Sequence, residues 1–248
     1  MQKRSATYTI LNGAERPLTK IELNSVEWPE FMIHDAVEAR YWQGLASSFA
    51  EYQFAIFMGE ELVGFANTIP LSMNSSRIDY NDRGWDWALE KGFADLLTRR
   101  KFTVLCGLNI GIREQFKGRG LSALFIDGMK QVAREHNLKA VILPLRPTLK
   151  HQYPLIGMED YLTWQNAEGQ PFDPWIRTHV KLGAEIKSIC HNAMYIKGSI
   201  AEWETWTGLS FQSSGSYIVP GALTPVKADL KKDLAEYTEP NVWVRHKI

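Results

Sequence analysis

The sequence predicts an α/β domain built on a mixed central sheet flanked by helices, and three stretches carry that prediction. Residues 103–110 are apolar almost throughout, a glycine turn follows, and from Gly120 the apolar Leu121, Leu124, Phe125, Met129, Val132 and Ala133 recur at helical spacing before a second apolar run at 140–143. An uninterrupted apolar run suits a strand covered on both faces, and a strand–helix–strand crossover of this length leaves its two strands parallel. Residues 54–58 and 62–67, joined by Gly59, Glu60 and Glu61, predict an antiparallel hairpin. Residues 184–190 and 192–197 predict a second antiparallel pair, so parallel and antiparallel neighbours share one sheet.

The remaining elements fill in around that sheet. Residues 8–11 read as a short strand, and Phe31, Ala36, Ala39, Tyr41, Trp42, Leu45 and Phe49 place one or two helices after Trp28 and Pro29. Between the hairpin and the central strand, residues 72–100 form an insertion: a polar connection and then a helix over 85–94, placed to shape a substrate pocket. Asn137 suits the left-handed turn that closes the crossover helix. Asp173 as N-cap, Pro174 in the first turn and Gly183 past the end delimit another short helix. The tail from Ile200, rich in Trp, Gly and Pro, reads as an ordered extension. The expectation is one domain over 1–248, with a core of about 8–198 and residues 199–248 packed on it.

Composition excludes several function classes. Lys plus Arg and Asp plus Glu each number 28, whereas a nucleic-acid binder would carry a basic surplus; the run Arg99, Arg100, Lys101 reads as a solvated element end. Cys106 and Cys190 both sit in apolar stretches, as buried free thiols of a reducing cytosol do. No apolar h-region follows residues 1–7 and no run is long enough to span a bilayer, so the expected location is the cytoplasm, without a membrane partner. His34, His136, His151, His191 and His246 show no metal-ligand spacing, and no Gly-x-Ser-x-Gly elbow occurs, so no metal is expected.

The crossover turn is where chemistry enters. A helix that starts beside Gly120 aims unpaired N–H groups and a positive dipole end into the turn, and Lys117 and Arg119 add charge, which suits an anionic phosphate. A plain tight turn or a dinucleotide site would use the same residues. Order and spacing narrow the choice: Ile112, Arg113, Glu114, Gln115, Phe116, Lys117, Gly118, Arg119, Gly120, Leu121 and Ser122 resemble the acetyl-CoA signature of the GNAT acyltransferase superfamily. Gln115-x-x-Gly118-x-Gly120 meets that family's Gln/Arg-x-x-Gly-x-Gly/Ala rule literally. Alignment on the aromatic Phe116, the register preferred here, instead puts Lys117, Gly120 and Ser122 at those positions and departs from the rule twice. The resemblance implies a coenzyme A thioester as substrate, acetyl-CoA or malonyl-CoA, contacted by Leu108, Ile110, Ile112, Lys117, Gly118, Arg119, Gly120, Leu121 and Ser122.

Residues 145–150, 153–155, 171–179 and 239–244 resemble a narrower group, the GNAT-like loading domains of polyketide synthases. That resemblance implies decarboxylation of a malonyl-type thioester, acyl transfer to an acyl carrier protein thiol, or both. Thr148 and His179 match the polar pair assigned to decarboxylation, and Trp42 matches an aromatic residue of the substrate tunnel. Hydrogen-bond donors in a dry crevice would stabilise the enolate, and a histidine would return the proton to carbon. Each residue has a structural alternative: His179 shares a helix face with Trp175 and Ile176, Thr148 suits a helix cap, and Trp42 suits the core. Two rival functions stand beside this one. Acetyl transfer to a small-molecule amine needs a base that residues 103–110 do not offer, a role left to Glu114, a residue of the 72–100 insertion or a bound water; a carboxylate brought near the acyl carbon by that insertion would favour it. A non-catalytic acyl-CoA-binding module would turn over no thioester.

Overall fold

Apolar strands with glycine or bulge interruptions assemble one nine-stranded sheet in the computed structural model, which describes residues 7–18, 28–74 and 76–248. The reading of residues 1–6 as lacking a leader lies outside the described residues. In chain order the strands are β1 (Tyr8–Asn12), β2 (Phe54–Met58), β3 (Glu61–Leu71), β4 (Val104–Ile112), β5 (Ala140–Leu145), β6 (Glu185–Gly198), β7 (Gly215–Tyr217), β8 (Val226–Asp229) and β9 (Leu234–Lys247). The α-helices are α1 (Ala36–Tyr41), α2 (Leu45–Ser48), α3 (Gly84–Leu97), α4 (Ser122–Glu135), α5 (Met158–Thr163), α6 (Pro174–Lys181) and α7 (Ile200–Thr207). β4 and β5 are parallel, while β1–β2, β2–β3, β3–β4 and β5–β9 are antiparallel, which makes the sheet mixed as expected.

Helices cover both sheet faces. A Cβ on Gly107 would lie 2.6 Å from Leu143 and 3.0 Å from the Met129 sulfur, so the backbone of β4 comes this close to its neighbours because residue 107 has no side chain; this is the α4 face. Cys106, the adjacent residue of β4, points the other way, where Cys190 of β6 packs under the start of α3. Asn137 closes α4 with φ 57°, and Asp173 caps α6 by accepting from the Trp175 and Ile176 amides, both as the sequence predicts.

The C-terminal third corrects one expectation. Residues 184–190 and 192–197 do not pair with each other; they form the single strand β6, which runs antiparallel to β9 from Glu185↔Arg245 to Gly198↔Ala235. The polar His191 and Asn192 occupy a register shift between Cys190 and Met194 that Asp82 pins. Its carboxylate accepts from the His191 amide at 2.8 Å, and its carbonyl accepts from the Asn192 amide at 3.1 Å. β9 therefore lies inside the sheet, with β6 along one edge and β5 and β8 along the other.

Candidate functional site

The site begins where two parallel strands part. β4 and β5 pair only at Leu105↔Val141 and Cys106↔Ile142; beyond that, β4 stays on β3 as far as Ile112 and β5 stays on β9 as far as Leu145, and their facing edges separate. On β4, Leu108 is buried, and Ile110 and Ile112 are half-buried. The Leu108 carbonyl accepts from the Trp85 indole at 3.0 Å, so the inserted helix α3 reaches the splay. Trp42 tilts against that indole at 5.7 Å between centroids.

β4 runs into the glycine turn. Phe116 is buried and anchors it, Arg119 lies over the Phe116 ring at 5.2 Å, and Lys117 is bonded to Glu114. Lys117, Gly118, Arg119 and Gly120 are exposed. Gly118 and Gly120 both have φ +73°, a region that L side chains rarely adopt, and a Cβ on either would meet nothing within 4 Å. The turn thus presents open backbone ahead of α4, whose N-cap residue Leu121 supplies no side-chain acceptor to the first-turn amides. These features fit a diphosphate.

Thr148 and His179 are engaged with different partners. Thr148 is exposed beyond the carboxyl end of β5, and its hydroxyl lies 3.4 Å from Asp173. His179 has no solvent exposure: its Nδ1 is 2.9 Å from Nε2 of His246, its ring packs edge-on against Trp175, and its Nε2 has no partner among the described residues. Burial, then His246 and Lys130, pull its pKa down to about 3, so the ring is neutral across the physiological range. His246 pairs with Val141, near the amino end of β5, whereas Thr148 follows that strand's carboxyl end.

A feature that did not enter the sequence-based candidate list stands out beside Trp85. Ala36 and Val37 of α1, Arg83 and Asp86 at the start of α3, and Asn192 and Tyr195 of β6 line a cavity of about 460 Å³. Asp86 is only 3% exposed, and its Oδ1 has no hydrogen-bond partner among the described residues. Burial, then the nearby Asp35, push its pKa up to about 8. A signal for it was present: Asp86 falls three and six residues before the buried Leu89 and Gly92, on the stripe of α3 that packs inward.

The fold and the comparisons agree. The chain superimposes on the loading GNATL domain of CurA from Lyngbya majuscula with a TM-score of 0.56 at 15% identity, covering 97% of this chain and 98% of that one. This chain has the GNAT acyltransferase fold. The splay and the glycine turn described above are thus set on a GNAT sheet. In sequence, the chain is 29% identical to an arginine N-acetyltransferase of Aspergillus versicolor over 273 residues, 99% of this chain and 91% of that protein. No family model matches. Among the described residues no group of three or more His, Cys, Asp or Glu could hold a metal ion, and no helix is long and apolar enough to cross a membrane.

Proposed function

We propose that this protein is an acyl-CoA-dependent N-acyltransferase that acetylates a small-molecule amine, with the whole chain working as one GNAT-like unit in a reducing cytoplasm. The observation that carries the acceptor assignment is Asp86: a buried carboxylate whose Oδ1 has no hydrogen-bond partner among the described residues, on the inserted helix and next in sequence to the tryptophan whose indole touches the splay. A cationic acceptor needs an anionic counter-charge in its binding site, which a carboxylate from this insertion supplies and which a carrier-protein thiol would not call for. The arginine N-acetyltransferase relative, aligned over nearly all of the chain, supports the same reading. Both cysteines are free and buried, which suits the cytoplasmic placement.

In this reading the thioester lies along Leu108, Ile110 and Ile112, with its diphosphate on Lys117, Gly118, Arg119, Gly120, Leu121 and Ser122, and Trp42 borders the acceptor side. The amine nitrogen, once deprotonated, attacks the thioester carbonyl; the new N–C bond forms, the C–S bond breaks, and the proton lost from nitrogen balances the departing thiolate. Malonyl decarboxylation by Thr148 and His179, with delivery to an acyl carrier protein, is the competing chemistry. It would require His179 to leave a site where it is fully enclosed.

The test is product analysis. Purified protein is incubated with acetyl-CoA or malonyl-CoA, with and without a panel of primary amines, while released thiol is followed and products are identified by mass spectrometry. Amine-dependent thiol release with an N-acetylated product is the expected result. Conversion of malonyl-CoA to acetyl-CoA without any amine would replace this reading with the decarboxylase, and thioester binding without turnover would replace it with a binding module.

A further inference from the structure

We propose that the cavity beside Asp86 holds a guanidinium group carried by the acceptor, remote from the nitrogen that is acylated, with Asp86 as its counter-charge. This deepens the N-acyltransferase reading and rests on it for the word acceptor. The starting point is a contrast within one helix. Asp95 of α3 is as buried as Asp86, but its carboxylate accepts from the Ser72 amide at 2.8 Å and pairs with Lys91 at 2.9 Å. Asp86 makes no such ion pair among the described residues, although burying a carboxylate without a direct partner is costly and native structures rarely tolerate it without a ligand or a function.

Arg83 lines the same cavity and its charge acts on Asp86 and Asp35 through space, but its guanidinium donates to Glu90 at 2.8 Å and to neither of them. A second acid adds to the demand. Asp35 uses Oδ1 to cap α1, accepting from the Val37 and Glu38 amides at 2.8 Å each, while its buried Oδ2 is also unpartnered among the described residues. Asp35 is close enough to raise the pKa of Asp86 and of Glu38. Of the two acids only Asp86 lines the cavity, with the Asp35 charge behind it; its carboxylate suits a cation with several N–H donors in a fixed plane, which a guanidinium provides and a single ammonium matches less well. Ala36 and Val37 give the cavity an apolar side for the methylene stem, and about 460 Å³ exceeds the volume of a guanidinium group several-fold.

The experiment compares arginine with citrulline, its near-isosteric neutral analogue, by calorimetric binding to the CoA-bound protein and by acetylation kinetics. Arginine is expected to bind roughly tenfold or more tighter than citrulline, and Asp86→Asn is expected to remove that preference while leaving the KM for acetyl-CoA unchanged. Near-UV circular dichroism checks that Asp86→Asn is folded. Val37→Arg is the second variant: it tethers a guanidinium inside the cavity and should abolish arginine binding. Equal binding of arginine and citrulline to the wild-type protein, or arginine binding unaffected in both variants, would overturn the proposal; so would a cavity that takes up only water. The two readings fail separately. Acetylation of neutral and cationic amines alike would sink the subsite and keep the transferase, whereas Asp86-dependent arginine binding with no amine acetylated would keep the subsite and sink the transferase.

Discussion

Asp86→Asn should make the protein more stable at neutral pH, and the gain should depend on pH in a way that only a buried acid produces. In the folded protein the Asp86 pKa is about 8, against 3.8 for the unperturbed group. A raised pKa means that the folded state holds its proton while the unfolded chain has released it. The contribution of Asp86 to stability is therefore complete below about pH 4, declines as pH rises, and is fully lost above about pH 8. At pH 7 the loss integrates to about 4 kcal/mol, taken as an upper limit. Asn keeps the shape but buries an amide that lacks partners, which offsets about 1–3 kcal/mol, so the net gain at pH 7 is about 2 kcal/mol.

Urea denaturation of both proteins at pH 4, 6, 7 and 9 measures the gap directly. Near pH 4 the variant should be the less stable by the amide's about 1–3 kcal/mol; the midpoints should cross as pH rises, and the variant should be the more stable by about 2 kcal/mol at pH 7, with the gap widening to about pH 8. The Asn desolvation term is the same at every pH, so the slope tests the reasoning even if the offset differs. A gap that is constant with pH, or a variant that is less stable at pH 9, would show that Asp86 is solvated or partnered and would remove the basis for a functional carboxylate there.

Two further substitutions separate binding from packing. Gly120→Glu puts a side chain and a negative charge into the open turn at a residue with φ +73°, so CoA affinity measured by calorimetry should fall about tenfold or more while the fold survives with a loss of about 1 kcal/mol; unchanged affinity in the folded variant would take the diphosphate off this turn. His179→Ala empties a fully enclosed site, so it should lower stability by about 2–4 kcal/mol while the folded fraction acetylates amines at the wild-type rate; loss of malonyl-CoA turnover with stability unchanged would instead support the Thr148 and His179 chemistry.

Local signals read the glycine turn, Asn137 after α4 and the Asp173 cap correctly because each depends on backbone geometry within a few residues. β9 was unreadable for the opposite reason. Glu239 and Asn241 interrupt it with polar side chains that are nonetheless buried, and Glu239 is tolerated there because Arg146, 93 residues earlier in sequence, donates to both its oxygens at 2.9–3.0 Å while Tyr237 adds a third bond at 2.9 Å. No window on the tail contains that partner. Asp86 fell to the same limit: an acid on the inward stripe of α3 is either paired, as Asp95 is, or unpaired, and only the arrangement of distant chain decides.

That long-range wiring yields a prediction about the last fifty residues. β4 and β5 diverge because each is held on its outer edge, β4 by β3 through Ile112 and β5 by β9 through Leu145. A chain ending at residue 198 would leave β5 with its short pairing to β4 as its only strand pairing and would strip β6 of all its partners in β9. It would also remove Trp203, Tyr237, Val242, Trp243 and Val244 from the main core, where each has no solvent exposure. At about 2 kcal/mol for each of these side chains, the loss is about 10 kcal/mol, as large as the whole stability of a typical domain. The truncated protein should therefore show no cooperative melt by circular dichroism and should aggregate on size exclusion. If it behaves instead as a folded monomer that still binds CoA, the splay must be fixed by β4 and α4 alone, and residues 199–248 would be an accessory to the site and not part of what forms it.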